Sequence, residues 1–399
     1  MIQRPQHLWP SAIRSGGRFL TAAARSAAAL RSRCSGLGLL AAVGVLHCAH
    51  VAHAQWTTQN LHPAGDWEVS RVWGVFGSQQ VGHVYQTIGG PSAVPSGNAG
   101  SVWGGSAGSF SHVGTGEIFG IASDHSVGYV ELPIYAGHVG IIGYRDTAAM
   151  WTDSGATFNE LAPPGSASSA AYATSGTHQV GYATMGGTLR AAMWSGTAAS
   201  WVDLHPAGAA GSTSVGVWGT QQVGIAHINS DWHASLWSGT ADSWIDLHPA
   251  GASTSSATSV FNARQGGSAT FAGAKRAGLW SGDAETWLDI TPAGATDAEV
   301  NGMFGDAQVG YAVQQGLSRA SLWQGTAASW LDLGAFLPQD YTQSWATCIW
   351  SDGNQTIIGG YAVSSTTGGY HAVIWSIPSP SAVALAALAG HWMLARRRR

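Results

Sequence analysis

Short apolar segments alternate with turns of small and polar residues along most of the chain, and their order repeats. Runs of this length bounded by Gly, Ser, Asn and Pro indicate strands, and the 3.6-residue periodicity of a helical solenoid is missing between the repeats. The pattern therefore predicts one four-stranded antiparallel sheet per repeat. In one repeat the four segments are Ser214–Trp218, Val223–Ile228, Ala234–Trp237 and Trp244–Leu247.

A tryptophan marks each repeat, and four successive intervals of this ladder are 43 residues long. A period of about 40 to 50 residues is typical of solenoids and propellers. Four strands per repeat favour the propeller, because radial closure protects the sheet edges. We expect the ladder to pack in the core rather than to bind ligands. Its members are Trp103, Trp151, Trp194, Trp237, Trp280, Trp323 and Trp375.

The first six ladder tryptophans are each followed seven residues later by a second aromatic residue, and the seventh is not. Trp56 supplies the missing partner at the other end of the domain, because it precedes a Leu-His-Pro-Ala-Gly motif as Trp201 and Trp244 do. The predicted fold is all-β: a seven-bladed β-propeller of four-stranded antiparallel blades, closed by the N-terminal strand joining the last blade. Gln59 should then lie beside Ile374.

Two early regions fit this scheme less well and are expected to carry extra residues. They are Gln86 to Gly100 in the first blade and Gly114 to Asp124 before the second, which is predicted to begin at Ser126.

The chain divides into a leader, residues 1–54, a propeller, residues 55–377, and a tail, residues 378–399. The leader has six arginines, no acidic residue and an apolar run from Leu37 to Leu46. Small residues flank His53 in the triplet that ends at Ala54, and Gln55 follows. This order is typical of a secretory signal peptide cleaved between Ala54 and Gln55.

The tail begins with Pro378-Ser379-Pro380, continues as an apolar stretch and ends in four arginines that include Arg396 and Arg397. It resembles the PEP-CTERM sorting signal of Gram-negative bacteria, although Ser379 stands where that motif has glutamate. The resemblance implies processing by an exosortase-like membrane enzyme, transient membrane contact through the tail and a cell-surface or extracellular destination. The alternative is a short membrane tail held by a basic stop-transfer end.

Charge and cysteine content narrow the possible partners. The propeller keeps all 21 acidic residues but seven of the 17 basic ones, so its formal charge is −14. Such a domain repels nucleic acid and anionic lipid. Cys348 is its single cysteine, which leaves no internal disulfide.

Several short motifs resemble those of known propellers and extracellular repeats. The segment from Asp153 to Phe158 resembles the Asp-box of sialidase-like propellers, where it is structural. Sialidase chemistry needs a cluster of arginines, and Arg71 and Arg264 are the two on or near the predicted inner strands, which are too few.

A second resemblance involves Gln308-Val309-Gly310-Tyr311 and the segment from His371 to Trp375. Both resemble HAF-type extracellular repeats. That resemblance implies a secreted or surface propeller and no particular reaction.

Histidines and aspartates that recur once per blade are read as structural. His62, His205 and His248 precede proline on different blades, too far apart for one tetrahedral metal site. Asp203 and its equivalents recur in the same way.

No nucleotide loop, nucleophile elbow or metal-ligand cluster is present in the sequence, so no cofactor and no metal are predicted.

Departures from the repeat are the better guide to a binding site. They lead to five candidate binding residues: Arg71, Glu131, Tyr135, His138 and Arg145. The expected function is that of a non-enzymatic surface module that binds exopolysaccharide or other surface proteins. One alternative is a carbohydrate-active enzyme, a glycosidase or lyase that uses acidic residues near the axis. Another is a scaffold without a ligand.

Overall fold

The computed structural model describes residues 55–86, 97–136, 140–152 and 157–378. Regular structure in this part of the chain consists of strands and single turns of 3₁₀-helix, with no α-helix among the described residues, so the predicted all-β class is confirmed. The first twelve strands are β1 (Thr57–Asn60), β2 (Val69–Phe76), β3 (Gln79–Gln86), β4 (Gly97–Trp103), β5 (Ser111–Ala122), β6 (His125–Tyr135), β7 (Ile141–Thr152), β8 (Thr157–Glu160), β9 (Ser169–Thr174), β10 (Gln179–Met185), β11 (Thr188–Trp194) and β12 (Val202–Asp203). The others are β13 (Ser212–Trp218), β14 (Gln221–Ile228), β15 (Asp231–Trp237), β16 (Ile245–Asp246), β17 (Thr254–Phe261), β18 (Arg264–Phe271), β19 (Ala274–Trp280), β20 (Leu288–Asp289), β21 (Ala298–Phe304), β22 (Ala307–Gln314), β23 (Leu317–Trp323), β24 (Leu331–Asp332), β25 (Tyr341–Ser351), β26 (Gln355–Ser364) and β27 (Tyr370–Pro378). The 3₁₀ turns are Ala107–Ser109, Ala198–Ser200, Ala241–Ser243, Ala284–Thr286, Ala327–Ser329 and Leu333–Phe336.

Sixteen consecutive strands, β9 to β24, form four separate sheets of four antiparallel strands each. Strands that are neighbours along the chain are also neighbours in the sheet, so each sheet is a meander. Tight hairpins connect them. Asn229 and Ser230, between β14 and β15, both have positive φ angles, 49° and 77°, as two-residue hairpin turns require. The predicted four strands per repeat are confirmed for these sheets.

A glycine in the second strand of each repeat permits a bulge in the first. Gly224 pairs with Ser214 and Val223 pairs with Gly216, so Val215 is left without a partner. A Cβ atom added to Gly224 would lie 2.0 Å from the carbonyl oxygen of Thr213. No side chain fits that gap, which explains why Val-Gly recurs in the sequence.

The remaining eleven strands form one continuous sheet in the order β25-β26-β27-β2-β3-β4-β5-β6-β7-β8, with β1 also paired to β27. The sequence predicted separate blades here. They are joined because residues 111–115 of β5 pair with β4 while residues 116–122 pair with β6. One parallel pair, Val69 with Tyr370, links β2 to β27.

The expectation that Gly114 to Asp124 are extra residues, with a new repeat starting at Ser126, is therefore wrong. Most of this segment belongs to β5, whose second half is the first strand of the next repeat. Gly114 and Gly116 have φ angles of 128° and 121°, values that favour glycine. They let β5 change direction, so that its first half pairs with β4 and its second half with β6 without a loop between them. In the other atypical region, residues 87–96 lie outside the described part of the chain.

The N-terminal strand pairs with the C-terminal one. Gln59 lies opposite Ile374 and Thr57 opposite Ser376 in the antiparallel β1–β27 ladder. The hydroxyl oxygens of Thr57 and Ser376 are 2.8 Å apart. The predicted pairing of the two ends of the domain is confirmed, and β1 covers the backbone groups along one edge of β27.

The ladder tryptophans lie in the core, each with at most 2% of its surface exposed, as predicted. Trp237 on β15 packs with Val180, Met193 and Leu204 of the preceding sheet. Each such indole fills the space between two sheets. The other residues that face this space are smaller, and one large aromatic side chain is needed to reach across it.

The first strands of successive repeats contact one another in a cycle: β2, β5, β9, β13, β17, β21 and β25, with β25 contacting β2. Hydroxyl groups reinforce these contacts. Thr258 Oγ1 donates a hydrogen bond to the carbonyl oxygen of Val300 at 2.5 Å. Thr347 Oγ1 donates in the same way to Val72 at 2.6 Å. The bond between the last and first repeats is thus of the same kind as a bond between consecutive repeats.

Three histidines connect neighbouring sheets through a serine. His205 Nδ1 lies 2.8 Å from Ser212 Oγ, and its Nε2 lies 3.1 Å from the carbonyl oxygen of Ala209. Ser212 Oγ also accepts the backbone N–H of Ala191 at 2.9 Å. Since Nε2 faces a carbonyl oxygen and therefore carries a proton, Nδ1 of the neutral imidazole accepts the Ser212 hydroxyl proton. His62 and His248 make the same arrangement. These histidines are structural, as their recurrence predicts.

Burial favours the neutral form of all three imidazoles. Burial, together with the His371 imidazole stacked at 4.0 Å, lowers the pKa of His62 to about 4. Burial likewise lowers the pKa of His205 and of His248. Protonation would convert Nδ1 into a donor facing a serine that already donates to it.

We expect Gly224→Ala to lower the free energy of unfolding by about 2 kcal/mol or more, because the new methyl group overlaps the Thr213 carbonyl. Urea unfolding followed by tryptophan fluorescence measures the change. Gly108→Ala is the matched control, since its Cβ meets no atom within 4 Å. Equal stability of the two variants would contradict the close backbone approach.

We expect the fold to lose stability as the pH falls from about 6.5 to about 4. The unfolded His62 imidazole takes a proton near its ordinary pKa of 6.5, whereas the folded one does so near 4, so protonation favours the unfolded chain. Urea unfolding at pH 7, 6, 5 and 4 should show a steeper loss for the wild type than for His62→Gln. Identical pH dependence in the two proteins would rule out this coupling.

Candidate functional site

One residue of each first strand lies at the bulge, where the register with the second strand shifts. Because each first strand contacts the next, the bulge residues lie on strands that are neighbours. Three consecutive ones are aromatic and partly exposed, whereas the last three are polar and bond to the next repeat. In order, the bulge residues are Trp73, Phe119, Tyr172, Val215, Thr258, Asn301 and Thr347.

An arginine and four aromatic side chains assemble where β2 meets β25, β26 and β27. We call this the Arg71 cluster: Arg71, Trp73, Trp345, Tyr361 and Tyr370. The guanidinium carbon lies 4.5 Å from the ring centre of Tyr370, 5.0 Å from that of Tyr361 and 6.0 Å from that of Trp73. Each of the five residues is partly exposed. The cluster combines a cation with accessible aromatic faces, as ligand sites commonly do.

Strand register brings these rings together. Trp345 lies directly opposite Tyr361 in the β25–β26 pair, and the two rings stack at 5.1 Å with an interplanar angle of 22°. Tyr370 is the first residue of β27. Its ring and that of Tyr361 are arranged edge to face, with their ring centres 5.6 Å apart. Trp73 approaches Tyr361 from β2, with their ring centres 5.8 Å apart. The aromatic surface therefore spans the junction between the first and last repeats.

The Arg71 guanidinium has no anionic partner among the described residues. It forms no ion pair and donates no hydrogen bond there, and its Nε is buried without an acceptor. Burial raises the pKa of Tyr361 to about 12, although the positive charge of Arg71 opposes this rise. The phenol is thus neutral at physiological pH. Among the described residues, the electrostatic contacts of the Arg71 guanidinium are limited to the faces of aromatic rings.

A buried polar network supports Trp73 from the neighbouring strands. Trp73 Nε1 donates a hydrogen bond to His83 Nδ1 at 3.0 Å. Glu117 Oε2 lies 3.0 Å from the same nitrogen, which cannot donate to the carboxylate while it accepts from Trp73. Asn98 Nδ2 donates to the other Glu117 oxygen at 2.5 Å. His83 and Glu117 are about 4% exposed. Their positions fix the orientation of the Trp73 indole.

A second buried carboxylate occupies the equivalent strand position in another repeat. Glu299 lies 3.0 Å from Lys275 Nζ and accepts a hydrogen bond from Ser268 Oγ at 3.0 Å. Only 3% of Glu299 is exposed. Both inner-strand glutamates are thus bound to protein partners.

The structure places the sequence-predicted residues in two regions. Arg71 lies in the Arg71 cluster, whereas Glu131, Tyr135 and Arg145 lie on the β6–β7 hairpin. Glu131 pairs with Asp146 and Arg145 with Leu132, so Glu131 and Arg145 point to opposite faces of the hairpin. Arg145 Nη2 also lies 3.7 Å from Glu160 Oε1 on β8. His138 lies outside the described residues.

The same hairpin exposes several large apolar side chains. Tyr135 is 67% exposed, and Ile134, Ile141, Ile142 and Tyr144 are between 42% and 59% exposed. A patch of this kind commonly contacts another molecule.

A separate cleft of about 440 Å³ lies between the β21–β22 turn and β25–β26. Phe304, Ile349 and the largely exposed Asp306 line it together with small residues. Polar groups in its lining come from Gln324, Ser351 and Thr356. Elsewhere in the described part of the chain, no group of three or more His, Cys, Asp or Glu residues is placed to hold a metal ion.

Sequence reasoning missed the aromatic members of the cluster. Trp73 and Trp345 fall outside the 43-residue ladder, and that departure was an available signal. Tyr361 follows a glycine, as Tyr182 and Tyr311 do, so it looks like an ordinary repeat residue. Only the pairing of the first and last repeats brings these rings to one arginine.

Most residues predicted for processing cannot be placed. Gln55 is the first described residue and is exposed, and Pro378 ends β27. Ala54, Pro380, Arg396 and Arg397 lie outside the described residues. Within the described ranges, no helix has the length and apolar character needed to cross a membrane.

No protein-family model matches the chain, and no curated protein does. Solved structures do resemble it. The β-propeller domain of the trilobed protease from Pyrococcus furiosus matches with a TM-score of 0.51 and 6% identity, over 78% of this chain and 94% of that one.

TolB from Acinetobacter baumannii matches with a TM-score of 0.39 and 10% identity, over 76% of this chain. The match spans 64% of that TolB chain, just under two thirds of its length. TolB from Agrobacterium tumefaciens gives the same TM-score and identity over 64% of this chain and 98% of its own. At such identities only fold is shared, and the Pyrococcus match, together with the sheets described above, shows that the chain has a β-propeller fold.

Proposed function

We propose that this chain is an exported seven-bladed propeller that binds saccharide at the cell surface without cleaving it. The Arg71 cluster carries the proposal, because it presents four partly exposed aromatic rings and a cation with no protein partner. The apolar C–H face of a sugar packs on aromatic rings, and N–H donors bind its oxygen atoms.

Seven blades account for all the strands. The four separate sheets supply four blades, and the 11-stranded sheet divides into three more. These are β2 to β4 with the first half of β5, the second half of β5 with β6 to β8, and β25 to β27 with β1. Contacts between successive first strands, including β25 with β2, support a closed ring.

Export is supported by the two ends of the chain. The basic leader with its apolar run fits a secretory signal peptide, and the tail from Pro378 resembles a PEP-CTERM signal. An exosortase-like enzyme would process the tail during transient membrane contact. The destination is the surface or surroundings of a Gram-negative-type cell, where exopolysaccharide and surface proteins are the available partners.

A binding role suits the inner-strand carboxylates better than hydrolysis does. Glycoside hydrolysis requires two acids that face the substrate. Glu117 accepts a hydrogen bond from Asn98, and Glu299 is bound by Lys275 and Ser268, with 4% and 3% of the two glutamates exposed. Neither is free to protonate a glycosidic oxygen.

We expect the exported full chain to bind a defined oligosaccharide on a glycan array and Trp345→Ala to weaken that binding about tenfold, because the variant removes one stacking surface. Isothermal titration calorimetry measures the affinities. Trp218→Ala is the control, because it removes a 42% exposed tryptophan outside the cluster. Shortened saccharide products in the same mixtures would favour the carbohydrate-active enzyme instead, and equal affinity of all three proteins would place the site elsewhere.

A further inference from the structure

We infer that Arg71 binds a carboxylate group, so that the ligand of the Arg71 cluster is an acidic saccharide built from uronic acid units. This inference rests on the proposed saccharide-binding function and names its ligand class. Three observations support it: the missing counter-ion, the geometry of the rings and the pairing of the nearby carboxylates with protein partners.

The missing counter-ion is unusual for this domain. Acidic residues outnumber basic ones by 21 to seven between residues 55 and 377, so most cations have a carboxylate nearby. Five of the seven basic residues form ion pairs: Arg145, Arg190, Arg264, Lys275 and Arg319. Arg71 and Arg276 form none among the described residues, and of these two only Arg71 is surrounded by aromatic rings where the first and last repeats meet.

The three rings around Arg71 stabilise its charge without using its hydrogen bonds. Ring faces attract a guanidinium through their quadrupoles, and the N–H groups remain available. Arg71 is partly exposed, and its terminal Nη groups have no acceptor among the described residues. A carboxylate can accept two parallel N–H bonds from one guanidinium. An anion bound at the exposed end of the guanidinium would balance the charge of Arg71.

The surrounding aromatic surface favours a sugar as the carrier of that anion. Trp345 and Tyr361 stack at 5.1 Å, and Tyr361 also lies 5.0 Å from the guanidinium carbon. In a uronic acid the carboxylate is attached directly to the pyranose ring. A pyranose stacked on this surface therefore brings its carboxylate within reach of the arginine in contact with the same rings.

Two carboxylates lie near the cluster, and both have protein partners. Besides burial, nearby Glu299 also raises the pKa of Tyr361, and Glu299 Oε2 lies 3.0 Å from Lys275 Nζ. His83, which pairs with Arg71 across β2 and β3, faces Glu117 at 3.0 Å. The net charge of −14 from residue 55 to 377 disfavours dense polyanions such as nucleic acids. A saccharide with isolated carboxylates among neutral units meets less of this repulsion, because charges beyond about 10 Å are screened at physiological salt.

A matched pair of ligands tests this inference. One is a defined tetrasaccharide containing glucuronate, and the other is the same tetrasaccharide after carboxyl reduction, which converts glucuronate to glucose. We expect the exported wild-type chain to bind the acidic form about tenfold to a hundredfold more tightly. Arg71→Gln should bind both forms equally and weakly, whereas Arg71→Lys should keep part of the preference.

Arg276→Gln is the matched charge control, since Arg276 lies on β19 outside the cluster and makes no ion pair among the described residues. Thermal unfolding of each variant checks that it folds. The wild-type preference between the two ligands needs no variant and stands even if Arg71→Gln is unstable.

The outcomes separate the inference from the function it rests on. Equal wild-type binding of the two ligands, or a preference for the acidic form that survives in folded Arg71→Gln, would overturn the role of Arg71 and leave saccharide binding intact. Absence of binding to any saccharide on the array would overturn both.

Discussion

The ladder of hydrogen bonds between β1 and β27 is the constraint on which the rest of the structure depends. It places the start and the end of the domain in one sheet. In doing so it sets β2 beside β25, so that Thr347 can donate to Val72 and Arg71 can meet Tyr361 and Tyr370. Cys348 is the single cysteine of the domain and is a free thiol. No disulfide is therefore available, and strand pairing and packing hold the domain together.

Residues that recur from repeat to repeat stabilise the fold, and residues that differ from the repeat form the candidate binding site. The ladder tryptophans and the histidine–serine bonds recur because they join neighbouring repeats, and the Val-Gly glycines recur because each permits a bulge within its own sheet. The Arg71 cluster breaks the pattern. Trp73 and Trp345 add bulk where other repeats have smaller residues, and the charge of Arg71 is left to the rings. This contrast is why we regard the junction of first and last repeats as the binding surface.

Much of the fold was predictable, because it follows from local periodicity. The strands of the regular repeats, the burial of the ladder and the β1–β27 pairing all follow from residues that recur at fixed spacing. The prediction that Gly114 to Asp124 are extra residues was wrong, since glycines at positive φ let β5 continue from its pairing with β4 to its pairing with β6. Of the candidate site residues, Arg71 was identified without the rings around it.

The sequence by itself determined the repeat, its strands, its structural glycines and histidines, and the charge that disfavours dense polyanions. Those features depend on spacing and composition, which the chain carries locally. Tertiary structure alone decided which residues meet at the Arg71 cluster, because its members lie near opposite ends of the domain and contact one another only through the pairing of distant strands. It also decided which charges are neutralised, since whether an arginine finds a carboxylate depends on the side chains that neighbouring sheets place within a few ångströms.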